Sequence, residues 1–442
     1  MGVYGAVAPA DPAQARTSDP KRGGRLWISL KGILKKLGPG LVTGAADDDP
    51  SGIATYSQGG AEFGNQVLWT MLFSYPLMCA IQELCGRVGR VTGRGLAGNM
   101  RRHYPAWLLY GIVLLTAVAN TLNVAADLAA MAEAAKLLFG GPLHLYGVLL
   151  AVICLFIPIY FSYPAYANFL RWLTLVLFAY VATAFAVKLH WGDIVKSTLM
   201  PWKDFQTGQI RILVAILGTT ISPYLFFWQA AQEMEDVKAA PREDALKGAP
   251  SQAPYQFERI RVDTYSGMAI SNLIAFFIML TTSATLHASG KTQIDTAAQA
   301  AEALRPLAGN FAFTLFALGI IGTGLLAVPV LAGSTAYALS EAFKWKVGLS
   351  KNPLQAKGFY GVMTLCMVLG VAMNFTHINP IKALVWSAIV NGIVAAPILF
   401  VLMLMVSNRK VMGKFTVSGW LKWCGWFCTG IMTIAALAMF FV

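Results

Sequence analysis

The chain has 442 residues, of which 57% are hydrophobic and 12% charged, with a mean hydropathy of +0.59 and a net charge of +13. A water-soluble domain averages about 25% charged residues, so this chain lacks the polar surface of one. That excludes a soluble enzyme or a nucleic-acid-binding module and leaves an all-α polytopic membrane protein, whose first partner is the lipid bilayer.

The first 30 residues hold no apolar run that could act as a signal-peptide core, and residues 1–37 form one segment. They read as a flexible basic cytoplasmic tail ending near Lys31, Lys35 and Lys36. After it, apolar stretches of membrane-crossing length recur. They predict eleven spans, near 38–61, 66–91, 106–138, 142–161, 166–190, 209–232, 264–287, 309–340, 356–374, 381–406 and 419–441. With the N-terminus inside, 26 of the 34 Lys and Arg fall on the inner side and 8 on the outer. Basic loops stay cytoplasmic, so an N-in, C-out topology is expected. The longest connector, residues 233–263, is rich in Ala, Pro and charge and reads as flexible.

Two spans carry a flaw. The first contains Asp47, Asp48, Asp49, Pro50, Ser51 and Gly52; the sixth carries Pro223 within GTTISPY. Proline removes an amide donor and clashes with the preceding turn, so neither helix is expected to run unbroken. Pro50 and Pro223 each open a group of five spans, 38–190 and 209–406, with 407–442 supplying a cytoplasmic loop and an eleventh helix. An odd number of spans per group inverts the second group relative to the first. Paired broken helices in an inverted repeat point to a secondary transporter with its site at mid-membrane. Freed carbonyls at such breaks are tolerated where they line a cavity or hold a ligand.

The ligand reads as a cation. An intramembrane carboxylate costs about 2.5–3.5 kcal/mol on insertion scales, and Asp49 abuts the break. Thr219, Thr220 and Ser222 add hydroxyls just before Pro223, and neither break holds Met, Cys or His. Hard oxygen donors suit Mg2+, Ca2+ and Mn2+. Asp47 and Asp48 have two readings, as a vestibule that attracts cations or as groups that cap polar neighbours. Gln229 and Gln232 are expected to line the inner exit. Asn391 in span ten either reaches the site or makes an interhelical hydrogen bond. Glu83 and Arg87, four apart, are expected to pair. GRVGRVTGRG mimics a phosphate loop but follows no strand, so it predicts no nucleotide site. The six cysteines show no zinc spacing, and the five histidines fall at membrane edges or loops.

GPGLVTGAADDDPSGIATYSQGGAEFG, RVGRVTGRGLA, ADLA in span three and GTTISPY together resemble the Nramp (natural resistance-associated macrophage protein) family of divalent metal transporters. The resemblance follows span order over nearly the whole chain. It implies a leucine-transporter-like fold of eleven helices in a five-plus-five inverted repeat. It places Asp49 at the family's metal-binding aspartate and the carbonyls of Ala46 and Thr219 at backbone-ligand positions. Gly52 stands where the family has a ligand asparagine, Ser222 where it has a methionine, and Tyr224 where it has a histidine. These departures resemble the Nramp-related magnesium transporter branch. Asp127 in ADLAA matches a proton-route aspartate, Ala130 replaces the glutamate, and Glu133 lies nearby.

The expected function is alternating-access transport of Mg2+ and/or Mn2+ across a bacterial inner membrane. Proton coupling is expected to be weak or absent, with no cofactor and a monomer as the working unit. A divalent ion crossing 100 mV gains about 4.6 kcal/mol, enough to drive entry. The rivals are a proton-coupled Mn2+/Fe2+ transporter of the main family type, an organic-solute symporter on the same fold, and an intramembrane hydrolase using Asp49 and Asp127.

Overall fold

In a computed structural model the chain is described over residues 43–44, 46–161, 175–200, 208–240, 243–376 and 378–441. The expected basic tail, the start of span one, residues 166–174 of span five with Arg171, and also Arg242 and His377 lie outside these residues. Every regular element among them is helical: α1 Pro50–Phe63, α2 Trp69–Thr92, α3 Leu96–His103, α4 Ala106–Phe139, α5 Leu143–Tyr160, α6 Phe178–Ala186, α7 Trp191–Leu199, α8 Gln209–Thr220, α9 Pro223–Ala239 and α10 Ala253–Thr285. There follow α11 Ala297–Ala301, α12 Arg305–Ala308, α13 Ala312–Ala342, α14 Lys357–Met373, α15 Pro380–Ser407, α16 Arg409–Met412 and α17 Gly419–Ala438.

Local sequence sets the ends of these helices. Pro50, Pro223 and Pro380 stand in the first turns of α1, α9 and α15, where a missing amide costs nothing. Asn379 caps α15 by accepting from the Lys382 amide at 3.1 Å. Within the bundle, α4 packs along α13, α8 along α15, α9 along α2, and α10 along α1. The most enclosed spans are α8–α9 and the one ending in α13, each with 78% of its most apolar stretch buried against protein, against 28% for α5, which faces outward.

Among the described residues, seven spans are long and apolar enough to cross a bilayer, and two sharply bent pairs raise the number to nine. Three features of the described residues separate this number from eleven. The break before Pro50 leaves only 14 residues in α1, α14 has 17, and span five is described only from residue 175.

The connector over 233–263 is more ordered than its composition suggests. α9 runs on to Ala239 and α10 begins at Ala253, so much of the segment is helix. Leu246 within it is fully buried, and its amide bonds the Arg90 carbonyl at 3.2 Å. Arg90 pairs with Glu243, and Arg259 with Glu233. Glu83 and Arg87 pair at 2.5 Å.

The Gly-rich segment after span two holds an anion, but an internal one. Gly93 ends α2 in the left-handed region at φ 63°. The amides of Gly95 and Gly98 then donate to the two carboxylate oxygens of Glu341 on α13, at 2.7 and 2.9 Å. Replacing Glu341 with Ala leaves two buried amides without an acceptor, at roughly 1–3 kcal/mol each. The purified Glu341→Ala protein is expected to melt several degrees lower in detergent.

Candidate metal-ion site

The first break is a change of backbone at two residues. Ala46 and Asp47 are helical, Asp48 is a bend, and Asp49 is extended at φ −72°, ψ 169°. Helix resumes at Pro50 with Asp49 as its cap. Asp49 Oδ1 accepts from the Ser51 hydroxyl and the Gly52 amide, both at 2.7 Å. Its other oxygen, Oδ2, has only two long contacts, the Asn123 amide nitrogen at 3.3 Å and the Tyr224 hydroxyl at 3.4 Å. One oxygen is thus occupied in holding the break, and the other is available to a ligand.

The second break lies at Ile221 (φ −121°, ψ 58°) and Ser222 (φ −78°, ψ 128°), between α8 and α9. The two breaks meet at Tyr224, whose hydroxyl donates to the Ala46 carbonyl at 2.9 Å beside Asp49. Ser222 Oγ turns back on its own chain and lies 2.9 Å from the Gly218 carbonyl and 2.5 Å from the Thr219 carbonyl. The Thr219 carbonyl therefore carries a serine contact and keeps its second lone pair. Thr219 Oγ1 sits 2.9 Å from the Ile216 carbonyl and 3.1 Å from the Tyr56 hydroxyl. Thr220 Oγ1 bonds the Ile216 carbonyl at 3.0 Å, within its own helix.

Glycines bring a third element to this point. A Cβ on Gly218 would strike the Ala388 carbonyl and the Gly392 amide of α15. The backbones of α8 and α15 therefore touch where Thr219 and Asn391, the adjacent residues, lie. Asn391 is fully buried, and neither atom of its side-chain amide has a hydrogen-bond partner. The expected interhelical bond is not made, and a buried primary amide is left with its capacity unused. Gly218→Val is expected to force α8 off α15, lowering both the yield of folded protein and uptake per folded molecule. An overpacked core typically loses 1–3 kcal/mol, readable as a lower melting temperature.

Other buried polar groups surround Asp49. Asn123 and Asp127 lie one turn apart on α4. Asn123 Oδ1 has no hydrogen-bond partner, and the Asp127 carboxylate, buried beside Asp49, has no closer partner than the Ser51 backbone. Beside α4, a cavity of about 880 Å³ lies between α4, α14 and α15, lined by Leu122, Ala126, Ser387 and Val390, with Lys382 at its rim. Leu122 and Val390 directly precede Asn123 and Asn391.

Several expected roles change. Asp47 and Asp48 are buried and face α10, where the Ser271 hydroxyl stands 2.8 Å from one carboxylate and 2.9 Å from the other. Of their two readings, this contact is the one in which they cap a polar neighbour. Gln229 is likewise buried and accepts from the Thr43 hydroxyl at 2.8 Å, tying α9 to the residues before the first break. Gln232 is 7% exposed, and its side-chain nitrogen has no hydrogen-bond partner. Glu133 accepts from the Ala297 amide at 3.2 Å, capping α11 well away from Asp127. Gly52 supplies its amide to Asp49 and, lacking a side chain, can offer an ion only its carbonyl.

Sequence reasoning overlooked Asn123, Tyr56, Ser271 and the structural part played by Tyr224. Asn123 was findable: Asn120, Asn123 and Asp127 mark one polar face of an otherwise apolar span at helical spacing. Ser271 carried no such signal. Among the described residues no group of three His, Cys, Asp or Glu could hold a metal. A site here draws instead on Asp49, backbone carbonyls, hydroxyls and amides.

Comparison with known proteins agrees with this architecture. The chain is 26% identical over 410 residues to the divalent metal cation transporter MntH of Klebsiella pneumoniae, covering 90% of this chain and 92% of that one. It is 27% identical over 432 residues to MntH of Xanthomonas campestris pv. campestris, covering 95% and 93%. Its fold resembles the Eremococcus coleocola manganese transporter crystallised with an aromatic bis-isothiourea compound, with a TM-score of 0.73 at 18% identity, over 94% of this chain and 87% of that one. A weaker likeness, TM-score 0.56 at 13% identity over 92% of both chains, links it to Mhp1, a nucleobase-cation-symport-1 family transporter. The family model described as natural resistance-associated macrophage protein-like matches residues 40–442, and the chain belongs to that family.

Proposed function

We propose that the protein moves Mg2+ and/or Mn2+ across a bacterial inner membrane by alternating access, with the N-terminus inside and the C-terminus outside. In this reading the chain forms eleven spans, with residues 38–190 and 209–406 as inverted repeats and the ion bound where their broken helices meet. The observation that carries it is the bridge at Tyr224: Asp49 Oδ2 and the Ala46 carbonyl of one break are drawn to the other break by one hydroxyl. Gly218 and Gly392, which adjoin Thr219 and Asn391 in sequence, bring α8 and α15 into backbone contact. Every donor is oxygen, and a hard divalent cation that keeps some of its water fits such a set. Asn123 Oδ1 and both side-chain amide atoms of Asn391, which lack a protein partner, suit the hydrogen-bonding shell of a hydrated ion, with Asp127 close by.

Membership of a family whose curated relatives are named divalent metal cation transporters supports metal as the cargo. The oxygen-only breaks favour Mg2+ and Mn2+ over softer ions. Uptake of Mg2+, Mn2+, Ca2+ and Cd2+ into proteoliposomes tests this: Mg2+ and Mn2+ are expected to enter, with no large advantage for Cd2+. A strong preference for Cd2+ would overturn the hard-cation assignment. Ion uptake without consumption of any substrate separates this reading from a hydrolase.

Proton coupling is weak or absent in this account. A relay needs a chain of titratable groups, and Glu133 is held by the α11 amide instead. A pH-sensitive dye inside the liposomes is expected to report little acidification during metal entry. One observation favours the main-type, proton-coupled reading: the Asp127 carboxylate is fully buried beside Asp49 with no cation or side chain bonded to it. Acidification in step with metal flux, lost in Asp127→Asn, would establish that alternative.

A further inference from the structure

We infer that the protein carries a binding site for the phosphate of an anionic phospholipid headgroup, formed by Arg94, Arg101, Arg102 and Lys344 where α3 meets the end of α13. These four side chains and Gly98 line a pocket of about 320 Å³. The site is separate from the ion pathway and does not depend on which ion is carried.

Four observations support it. The first is unneutralised charge. Nearby arginines are paired: Arg87 with Glu83, Arg90 with Glu233 and Glu243, Arg259 with Glu233. Among the described residues, Arg94, Arg102 and Lys344 make no ion pair, while Arg101 donates to the Glu341 backbone carbonyl at 2.5 Å. Glu341, the carboxylate that α13 places against α3, is already committed to the Gly95 and Gly98 amides.

The second is crowding of like charge. Burial and then the neighbouring cations Arg102 and Arg94 lower the affinity of Lys247 for its proton. Burial, followed by Lys247, Arg102, Arg94 and Lys410, does the same for His103. An anion placed among these groups relieves their mutual repulsion.

The third is backbone strain. Lys344 has φ 60°, the one positive φ on a residue other than glycine among the described residues. It follows the C-terminus of α13, a place usually given to glycine. An ordinary helix cap would be satisfied by glycine at less cost. Keeping a lysine there retains a charge at the pocket, and strained residues of this kind cluster at ligand sites.

The fourth is the neighbouring surface. Tyr110, Phe343 and Trp345 form a run of rings, with centroids 5.5 and 5.3 Å apart, and all three are exposed. Exposed aromatics of this kind sit at the headgroup level of a bilayer. Basic pockets at helix ends on the cytoplasmic side take anionic lipid headgroups. A free phosphate would use the cations but not the rings. A lipid uses both, with its phosphate among the guanidiniums and its glycerol and upper acyl chain along the aromatic run.

The test uses the full chain purified in detergent and follows its melting as phosphatidylglycerol, phosphatidylcholine or sodium phosphate is added. Phosphatidylglycerol at saturating level is expected to raise the melting temperature by roughly 5 °C, as a ligand selective for the folded state does. Phosphatidylcholine and sodium phosphate are expected to have little effect. Arg102→Gln and Lys344→Gly should each remove at least half of the shift, and Lys422→Gln should keep it. Lys344→Gly relaxes the backbone, so it is expected to fold at least as well as the parent, and its loss of response cannot be put down to misfolding. A full phosphatidylglycerol response in both variants would overturn the site. An equal shift with sodium phosphate alone would overturn the lipid assignment.

Discussion

Asp49→Ala is expected to reduce uptake of both Mg2+ and Mn2+ by more than about 100-fold while leaving the protein folded. The magnitude follows from the place of this side chain. Loss of a group that merely orients a metal ligand costs about 10–100-fold in affinity, and Asp49 is the carboxylate at the break itself. Its two oxygens do different work. Oδ1 caps α1 through Ser51 and Gly52, and Oδ2 faces Asn123 and Tyr224. Asp49→Asn separates these parts. Its carbonyl can keep the cap, worth about 1 kcal/mol, while the negative charge is gone. If the charge is what the ion requires, Asn should melt near the parent temperature and transport as poorly as Ala. Proteoliposome uptake together with melting in detergent checks both halves, and near-normal uptake by Asp49→Asn would mean that Asp49 serves only the backbone.

Ser222→Met is expected to shift selectivity toward Cd2+ over Mg2+ by about tenfold, a difference of roughly 1.4 kcal/mol. Ser222 is 2% exposed, lies at the second break, and keeps its hydroxyl on the carbonyls of Gly218 and Thr219. Methionine there removes that hydroxyl from the Thr219 carbonyl and introduces a soft donor, which favours later transition metals. Ser222→Leu is the control, with similar added bulk and no sulfur. It is expected to weaken uptake of all ions without reordering them. Competition of Cd2+ with Mn2+ uptake in the two variants gives the comparison, and equal ion preference in Met and Leu would show that residue 222 does not address the ion.

Much of the fold was legible before any coordinates, because a membrane helix announces itself by length and apolarity. The ends of α4, α5, α14 and α15 fall within two residues of the expected limits. The two breaks were legible because proline in a helix has few outcomes. The helical content of the connector was not. Its charged residues looked like solvated surface, yet Arg90, Glu233, Glu243 and Arg259 neutralise one another across three segments distant in sequence. The site was readable along the chain and unreadable across it. Asp49, Thr219 and Ser222 stand out beside their prolines. Nothing local says that Asp47 and Asp48 turn to Ser271, that Glu133 reaches from α4 to the Ala297 amide of α11, or that Tyr224 reaches back to Ala46. Each of those contacts is set by how helices cross, and one residue around a helix turns a side chain by about 100°.

The most direct measurement is a crystal or cryo-electron-microscopy structure of the protein with Mn2+ bound, with the metal located by anomalous scattering where crystals permit. The ion is predicted between the breaks, coordinated by Asp49 Oδ2 and the carbonyls of Ala46 and Thr219, with water filling its remaining positions and reaching Asn123 or Asn391. Strong metal density elsewhere, with Asp49 still bonded only to Ser51, Gly52, Asn123 and Tyr224, would contradict it.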